Sequence, residues 1–259
     1  MKTQRKIFEV NKIYNMDCLK GLKQLPDESI DLIITDPPYN TGMTNKERKN
    51  DKWLNSFFND KFTDIEYLNL IEGMFKESFR VLKNNSACYI FINWKQEPFL
   101  RKIGSKYFKF KQLLIWDKLI HGLNYQNYAY QYECLLFFVK GDFHPKRIYN
   151  KTDILRYSRV NQNNEIDHET VKPVRLIQNI IKDNSDKGQI VLDMFMGSGT
   201  TAVACLMAQR NFIGFEISKK YCDIAEKRCK KWINQKRIPS WFYIKNGEIK
   251  NENSKKNNR

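Results

Sequence analysis

The segment that most limits the fold lies in the last third of the chain. Residues 189–195 read as an apolar strand, a turn carries Gly197 and Gly199, residues 200–209 read as a helix, and residues 211–217 read as a second strand. Two strands joined by a full helix cannot be hairpin partners. The alternation points to parallel pairing in one sheet. The same alternation runs through the rest of the sequence. Strands are predicted at 12–16, 30–35, 87–92, 108–116 and 133–139, and helices at 64–82, 173–183 and 218–235. In the first helix Ile65, Leu68, Ile71, Phe75, Phe79 and Leu82 recur at helical spacing, and Thr63 with Glu66 forms a capping box. Pro173 suits a first helical turn. The pattern predicts an α/β fold with a mainly parallel sheet.

One domain spanning 1–259 accommodates these elements. Residues 141–167 lose periodicity and place Lys146, Arg147, Arg156 and Arg159 among Phe143, Tyr149 and Tyr157, so a surface insertion is predicted there. Residues 237–259 form a basic, Asn-rich tail. No apolar run reaches the roughly 18 residues that a membrane span needs, and no signal-peptide core follows Met1, so a cytoplasmic chain without a membrane partner is expected. Six Cys without a Cys-x-x-Cys pair and only three His lead us to expect free thiols and no metal.

Lys and Arg total 45 against 29 acids, a net charge of +16, which favours a polyanion and nucleic acid first. Yet 33 of the cations are Lys, and the chain is rich in Asn, as an AT-rich genome would dictate on its own. Residues 226–259 alone hold eleven cations against three acids. Charge therefore indicates a diffuse attraction and leaves the chemistry to the motifs.

Two motifs carry that chemistry. In Asp193-Met-Phe195-Met-Gly197-Ser198-Gly199-Thr200 the glycines allow a tight turn and a close approach by a ligand, and the new helix offers free N–H groups. Glu216, at the end of the next strand, can accept both hydroxyls of a ribose. Asp193 argues against bound phosphate and for a cationic or zwitterionic ligand. No Lys follows the glycines as a phosphate loop would require. The second motif, Thr35-Asp36-Pro37-Pro38-Tyr39-Asn40, ends a buried strand. Its prolines fix the backbone, so the Asp36 carboxylate and the Pro37 carbonyl become directed acceptors for a planar amine, and Tyr39 offers a face for stacking a base.

Together these motifs resemble the β-class S-adenosylmethionine-dependent amino-methyltransferases of DNA. That family carries Asp-Pro-Pro-Tyr N-terminal and Phe-x-Gly-x-Gly C-terminal, a circularly permuted order, and this chain follows it over roughly residues 10–235. The resemblance implies a Rossmann-like methyltransferase fold with one antiparallel strand, S-adenosylmethionine as cofactor and DNA as partner. A homodimer and a cognate restriction endonuclease are further expected partners. His168-Glu-Thr170-Val-Lys172-Pro173 resembles the family's His-Pro-Thr-Gln-Lys-Pro segment and implies that Thr170 and Lys172 neighbour the cofactor's methionyl end. Asp17 and Cys18 match contacts to its adenine, and residues 115–118 and 132–140 match further family segments.

Asp at position 36 leans toward adenine N6 over cytosine N4. Cytosine C5 chemistry would need the Pro-Cys dipeptide of its own family, and none of the seven prolines here precedes Cys. A catalytically silent binding subunit would be expected to have lost Asp36, Tyr39, Gly197 or Gly199, and all four are intact. The segments offered for reading DNA are 141–167 with Arg147, Arg156 and Arg159, the loop 41–61, and the Tyr-rich stretch 122–132, where Tyr125, Tyr128 and Tyr130 fit either core or surface.

Overall fold

A computed structural model describes residues 8–40, 61–121, 128–146, 151–159 and 171–235, together with the backbone of 243–245 and 248–250. Among these residues one sheet of eight strands forms the centre of the fold. In chain order its strands are β1 (Lys12–Asn15), β2 (Ile30–Thr35), β3 (Leu82–Ile92), β4 (Lys109–Asp117), β5 (Tyr132–Lys140), β6 (Ile154–Arg156), β7 (Ile190–Asp193) and β8 (Asn211–Glu216). They lie in the order β1-β8-β7-β2-β3-β5-β4-β6. β5 runs antiparallel to both β3 and β4, and the other pairings are parallel. This is the expected mainly parallel sheet with one reversed strand.

Among the described residues six helices cover the two faces: α1 (Cys18–Gln24), α2 (Asp64–Val81), α3 (Glu97–Gly104), α4 (Val174–Asn184), α5 (Thr200–Ala208) and α6 (Lys219–Gln235). Leu32 and Ile34 of β2 face α4, α5 and α6, while Ile30 and Ile33 face α1, α2 and α3. All six residues of β2 are buried because strands flank it on both sides and helices cover both faces. Asp31, within it, is matched by Lys83 and by the Ile190 N–H.

Several expectations need correction. The apolar stripe of α2 is rotated: Tyr67, Ile71, Met74, Phe75 and Val81 are buried, whereas Ile65 is 71% exposed and Phe79 36%. The side facing the sheet follows the 3.6-residue period from Tyr67, and Ile65 starts on the outer side of the first turn. The capping box of Thr63 and Glu66 forms as expected. Helices α1 and α3 are additions to the sequence reading, since both are too short to display a periodic stripe. Pro173 sits at the N-cap of α4, one place before the first turn.

The insertion 141–167 is more than a surface loop. Its residues Ile154–Arg156 add β6 to the sheet edge, and the Trp116 indole N–H donates to the Tyr157 carbonyl at 2.8 Å. Three residues are too few for strand periodicity to show. Tyr128 and Tyr130 are 99% and 51% exposed, which settles them as surface residues. Within the tail, Tyr243–Lys245 and Glu248–Lys250 pair as the short antiparallel strands β9 and β10. No helix among the described residues is long and apolar enough to cross a membrane. All six Cys are buried and free.

Candidate active site at the ends of two central strands

β7 leads through α5 to β8 on one side, and β2 leads through α2 to β3 on the other. Their carboxyl ends therefore flank a point where the chain direction diverges, which is where open α/β sheets hold ligands. A cavity of about 430 Å³ opens there. The Thr35 hydroxyl at the end of β2 donates to Asp193 Oδ1 at the end of β7, 2.9 Å away, and joins the two strand ends.

The turn after β7 forms one wall. Gly197 has φ 53 and Gly199 φ 84, both in the left-handed region that favours glycine. They do different work. Gly197 lines the cavity, and its N–H donates to Glu216 Oε2 at 2.8 Å. Gly199 is absent from the cavity wall. A Cβ there would stand 2.6 Å from Ala225 Cβ of α6, so its small size serves helix packing rather than the close ligand approach expected of it. Glu216 accepts a second N–H, from Ser218 at 2.8 Å, and burial raises its pKa. A carboxylate has about four lone pairs. Two backbone bonds leave acceptor capacity toward the cavity.

Asp193 is also more committed than expected. Its carboxylate accepts from the Thr35 and Thr201 hydroxyls and from the Phe195 N–H. Burial outweighs these bonds and pushes its pKa up to about 6. It lines the cavity while tying β2, β7 and α5 together. Arg228 of α6 donates to the carbonyl and hydroxyl of Ser198 and reaches the Thr200 hydroxyl, holding the turn from behind. A residue assigned to the loosely basic C-terminal region thus belongs to the support of the turn.

The opposite wall is the Asp36 turn. The Tyr67 hydroxyl of α2 donates to the Pro38 carbonyl at 3.0 Å and fixes its path. Asp36 Oδ1 accepts from the Tyr39 hydroxyl at 2.6 Å, and Oδ2 pairs with Lys172 Nζ at 2.5 Å. Lys172 lies 3.1 Å from Glu133 Oε2 and over the ring of Phe91. Glu133 also pairs with Lys118 at 2.6 Å. Burial alone would lower the Lys172 pKa, but Asp36 and Glu133 raise it well above the usual lysine value. Burial would raise Glu133, and its two lysines hold it below the usual carboxylate range instead. For Tyr39, burial and the two carboxylates both push the phenol up, so it is a neutral donor.

Asp17, Cys18, Asp36, Pro37, Pro38, Tyr39, Lys172, Asp193, Phe195, Gly197, Ser198, Thr200 and Glu216 all line this one cavity. Asp17 caps α1 by accepting from the Lys20 N–H. Arg156 is exposed at the end of β6, 3.7 Å from Asp117, and Arg159 lies exposed beyond it. Thr170 and Arg147 lie outside the described residues, as do Tyr125 and most of the loop 41–61. Glu133 and Lys118 stand in segments matched by resemblance but received no role from sequence. Their signal is a charge at the entry of an apolar strand and another at the exit of its neighbour. Among the described residues no group of three or more His, Cys, Asp or Glu is arranged to hold a metal.

A DNA methylase family model, for enzymes of the N6/N4 type, matches residues 30–227. The chain belongs to that family. It is 32% identical to the type II methyltransferase M.HpaI of Haemophilus parainfluenzae over 238 residues, 82% of this chain and 72% of that protein. It is 30% identical to the DNA adenine methyltransferase YhdJ of Escherichia coli K12 over 256 residues, 85% and 83% of the two chains. Among solved structures, the M1.HpyAVI–SAM complex superposes with a TM-score of 0.66 at 25% identity, covering 84% of this chain and 98% of that one. This DNA methyltransferase uses S-adenosylmethionine, and its cavity suits that molecule. Buried carboxylates at Glu216 and Asp193 meet hydroxyls and positive charge, and Met194, Phe195 and Ile217 supply apolar walls. When bound, the cofactor supplies a methyl group already activated on a sulfonium.

Proposed function

We propose that the chain methylates the exocyclic N6 of adenine in DNA, acting on a base turned out of the stack. The observation that carries this reading is the placement of Asp36. Its carboxylate lines the same cavity as the Gly197 turn and Glu216, across a strand junction closed by Thr35 and Asp193. In this reading Glu216 accepts the ribose hydroxyls, Asp17 and Cys18 flank the adenine of the cofactor, and Thr170 and Lys172 stand beside its methionyl end.

An exocyclic amine is a poor nucleophile because its lone pair is delocalised into the ring. Asp36 and the Pro37 carbonyl accept its two N–H bonds, which localises the lone pair and aims it at the methyl group. Tyr39 supports the base by stacking. The contribution is positioning and stabilisation of the charge that develops on nitrogen as the N–C bond forms and the S–C bond breaks; the sulfur departs as a neutral thioether, and the surplus proton on nitrogen leaves to solvent. The amine is out of reach inside a duplex, so the base leaves the stack at a cost of a few kcal/mol. An acid at position 36 and the adenine designation of YhdJ support adenine over cytosine N4 within a family that covers both.

The whole chain acts as one domain in this reading. Residues 141–167 supply target recognition, with Arg147, Arg156 and Arg159 on phosphate or guanine. Residues 237–259 add diffuse attraction to DNA. The type II designation of M.HpaI supports partnership with a restriction endonuclease, in the cytoplasm of a cell that carries both. A homodimer would enlarge the recognition footprint.

Asp36→Ala is expected to abolish methyl transfer while cofactor affinity stays within about twofold. Transfer that survives within about tenfold of the parent, roughly 1.4 kcal/mol, would remove Asp36 from the orienting role. Mass spectrometry of nucleosides from DNA of expressing cells is expected to show N6-methyladenine. N4-methylcytosine as the only new product would overturn the choice of base, and cofactor binding without any methylated product would reinstate a silent subunit.

A further inference from the structure

Asp36 has a problem that the proposed chemistry must solve. Both its oxygens are already engaged, Oδ1 by the Tyr39 hydroxyl and Oδ2 by the Lys172 ammonium. Each oxygen keeps a further lone pair, but an arriving amine competes with the ammonium held at 2.5 Å for the same carboxylate. Lys172 is the donor with somewhere else to go, because its Nζ already stands 3.1 Å from Glu133 Oε2. We propose that Glu133 is a positioning residue that receives the Lys172 ammonium when the target amine takes its place on Asp36 Oδ2. The inference rests on the reading of Asp36 as the amine acceptor.

The surroundings favour an exchange over a simple ion pair. Lys172 is only 7% exposed and sits over the Phe91 ring, so stripping it of every carboxylate would leave an uncompensated buried charge. Passing it from one carboxylate to another avoids that penalty. Glu133 keeps its other oxygen, Oε1, on Lys118 at 2.6 Å, which fixes the carboxylate. The Tyr39 hydroxyl gives its one proton to Asp36 Oδ1 at 2.6 Å and lies 3.2 Å from Oε2. Asp36, Lys172, Glu133 and Lys118 alternate in sign and sum to zero, so the exchange moves a hydrogen bond and changes no net charge. No proton is transferred. Glu133 never touches the base in this account.

The test is a double-mutant cycle of Glu133→Gln and Lys172→Met in the full chain, assayed on unmethylated chromosomal DNA. Glutamine keeps the shape of Glu133 and loses the charge that receives an ammonium. In the parent, Glu133→Gln is expected to lower kcat at least about tenfold, with KM for DNA and cofactor affinity within about twofold. With Lys172→Met there is no ammonium to move, and adding Glu133→Gln is expected to cost less than about twofold. Equal losses in both backgrounds, or a parent-like kcat for Glu133→Gln, would overturn the exchange. Should Lys172→Met be too slow to assay, a structure of the parent with S-adenosylhomocysteine and a duplex carrying the methylated site decides. Lys172 is expected on Glu133 and out of reach of Asp36, and Lys172 still paired with Asp36 would overturn the inference. If Asp36→Ala stays active, the reading of the site itself falls. If that variant is dead and the cycle is simply multiplicative, only the role of Glu133 falls.

Discussion

The two walls of the cavity are built on different principles. On the side of the glycine turn, the carboxylates are satisfied by backbone N–H groups and hydroxyls. Glu216 takes the N–H of Ser218 two residues away and that of Gly197 in the turn, and Asp193 takes the N–H of Phe195 and the hydroxyls of Thr201 and Thr35. On the side of Asp36, charged side chains arrive from distant places. Lys172 precedes α4, Glu133 opens β5 and Lys118 follows β4. A wall of backbone N–H groups and short hydroxyl side chains is stiff and changes little when a ligand comes and goes. A wall of paired charges has alternative pairings within a few ångströms. The first suits a cofactor that must be held in one pose, and the second suits an acceptor site that must open to a base.

The sharpest way to break the stiff wall is to disturb its geometry without entering the cavity. Gly199→Val forces a branched side chain into φ 84 and into contact with Ala225, whose Cβ stands 2.6 Å from where the new Cβ would lie. Strain and overpacking together are expected to cost about 3 to 5 kcal/mol in chemical denaturation. Loss of cofactor binding in whatever remains folded should accompany it. An unchanged unfolding midpoint would mean that α6 gives way freely and that the turn is softer than its hydrogen bonds imply.

A somewhat smaller effect tests the seam between the walls. Asp193 is pushed from the ordinary 3.8 to about 6 by burial. Its folded pKa lies above its unfolded one, so the folded state holds the proton more tightly. The stability from this group is fully present below about pH 4 and is lost as pH rises through about 6. Relative to Asp193→Asn, the parent should lose roughly 3 kcal/mol of stability between pH 4 and pH 7, an upper figure from the size of the shift. Asparagine alters the absolute stability as well, so the slope is what urea unfolding at a series of pH values must measure. Saturating S-adenosylmethionine should flatten that slope, since a cation beside Asp193 favours the ionised form. A slope that the cofactor leaves untouched would place its positive charge elsewhere.

The same contrast explains what the sequence disclosed. The sheet and its long helices were legible because their signals are local: an apolar run at 30–35, a capping box at Thr63 and Glu66, a glycine turn between strand and helix. The Asp36 and Gly197 motifs were legible because each is contiguous and stiff. Glu133 and Lys118 were not, because their meeting depends on the antiparallel pairing of β4 with β5, which sets Trp116 opposite Glu133. No spacing along the chain encodes that. β6 has no local signal for a related reason, since its three residues are a strand only because the edge of β4 is there to receive them. The packing role of Gly199 is hidden in the sequence because its neighbour Ala225 lies on another helix.

Arg228 brings a distant side chain into the stiff wall. It reaches from α6 to the carbonyl and hydroxyl of Ser198 at 2.7 and 2.9 Å. Burial lowers its pKa, so the protein bears a desolvation cost to keep a cation at this turn. Arg228→Met keeps the apolar stem and removes the hydrogen bonds. The turn would then be free to sample other paths before the cofactor arrives, and binding would have to order it. That predicts a cofactor dissociation constant raised about tenfold, roughly 1.4 kcal/mol, with kcat at saturating cofactor unchanged. Calorimetric titration beside steady-state kinetics separates the two. A fall in kcat with unchanged affinity would show that Arg228 acts on the reacting geometry instead, and the turn would then share the adjustable character of the Asp36 wall.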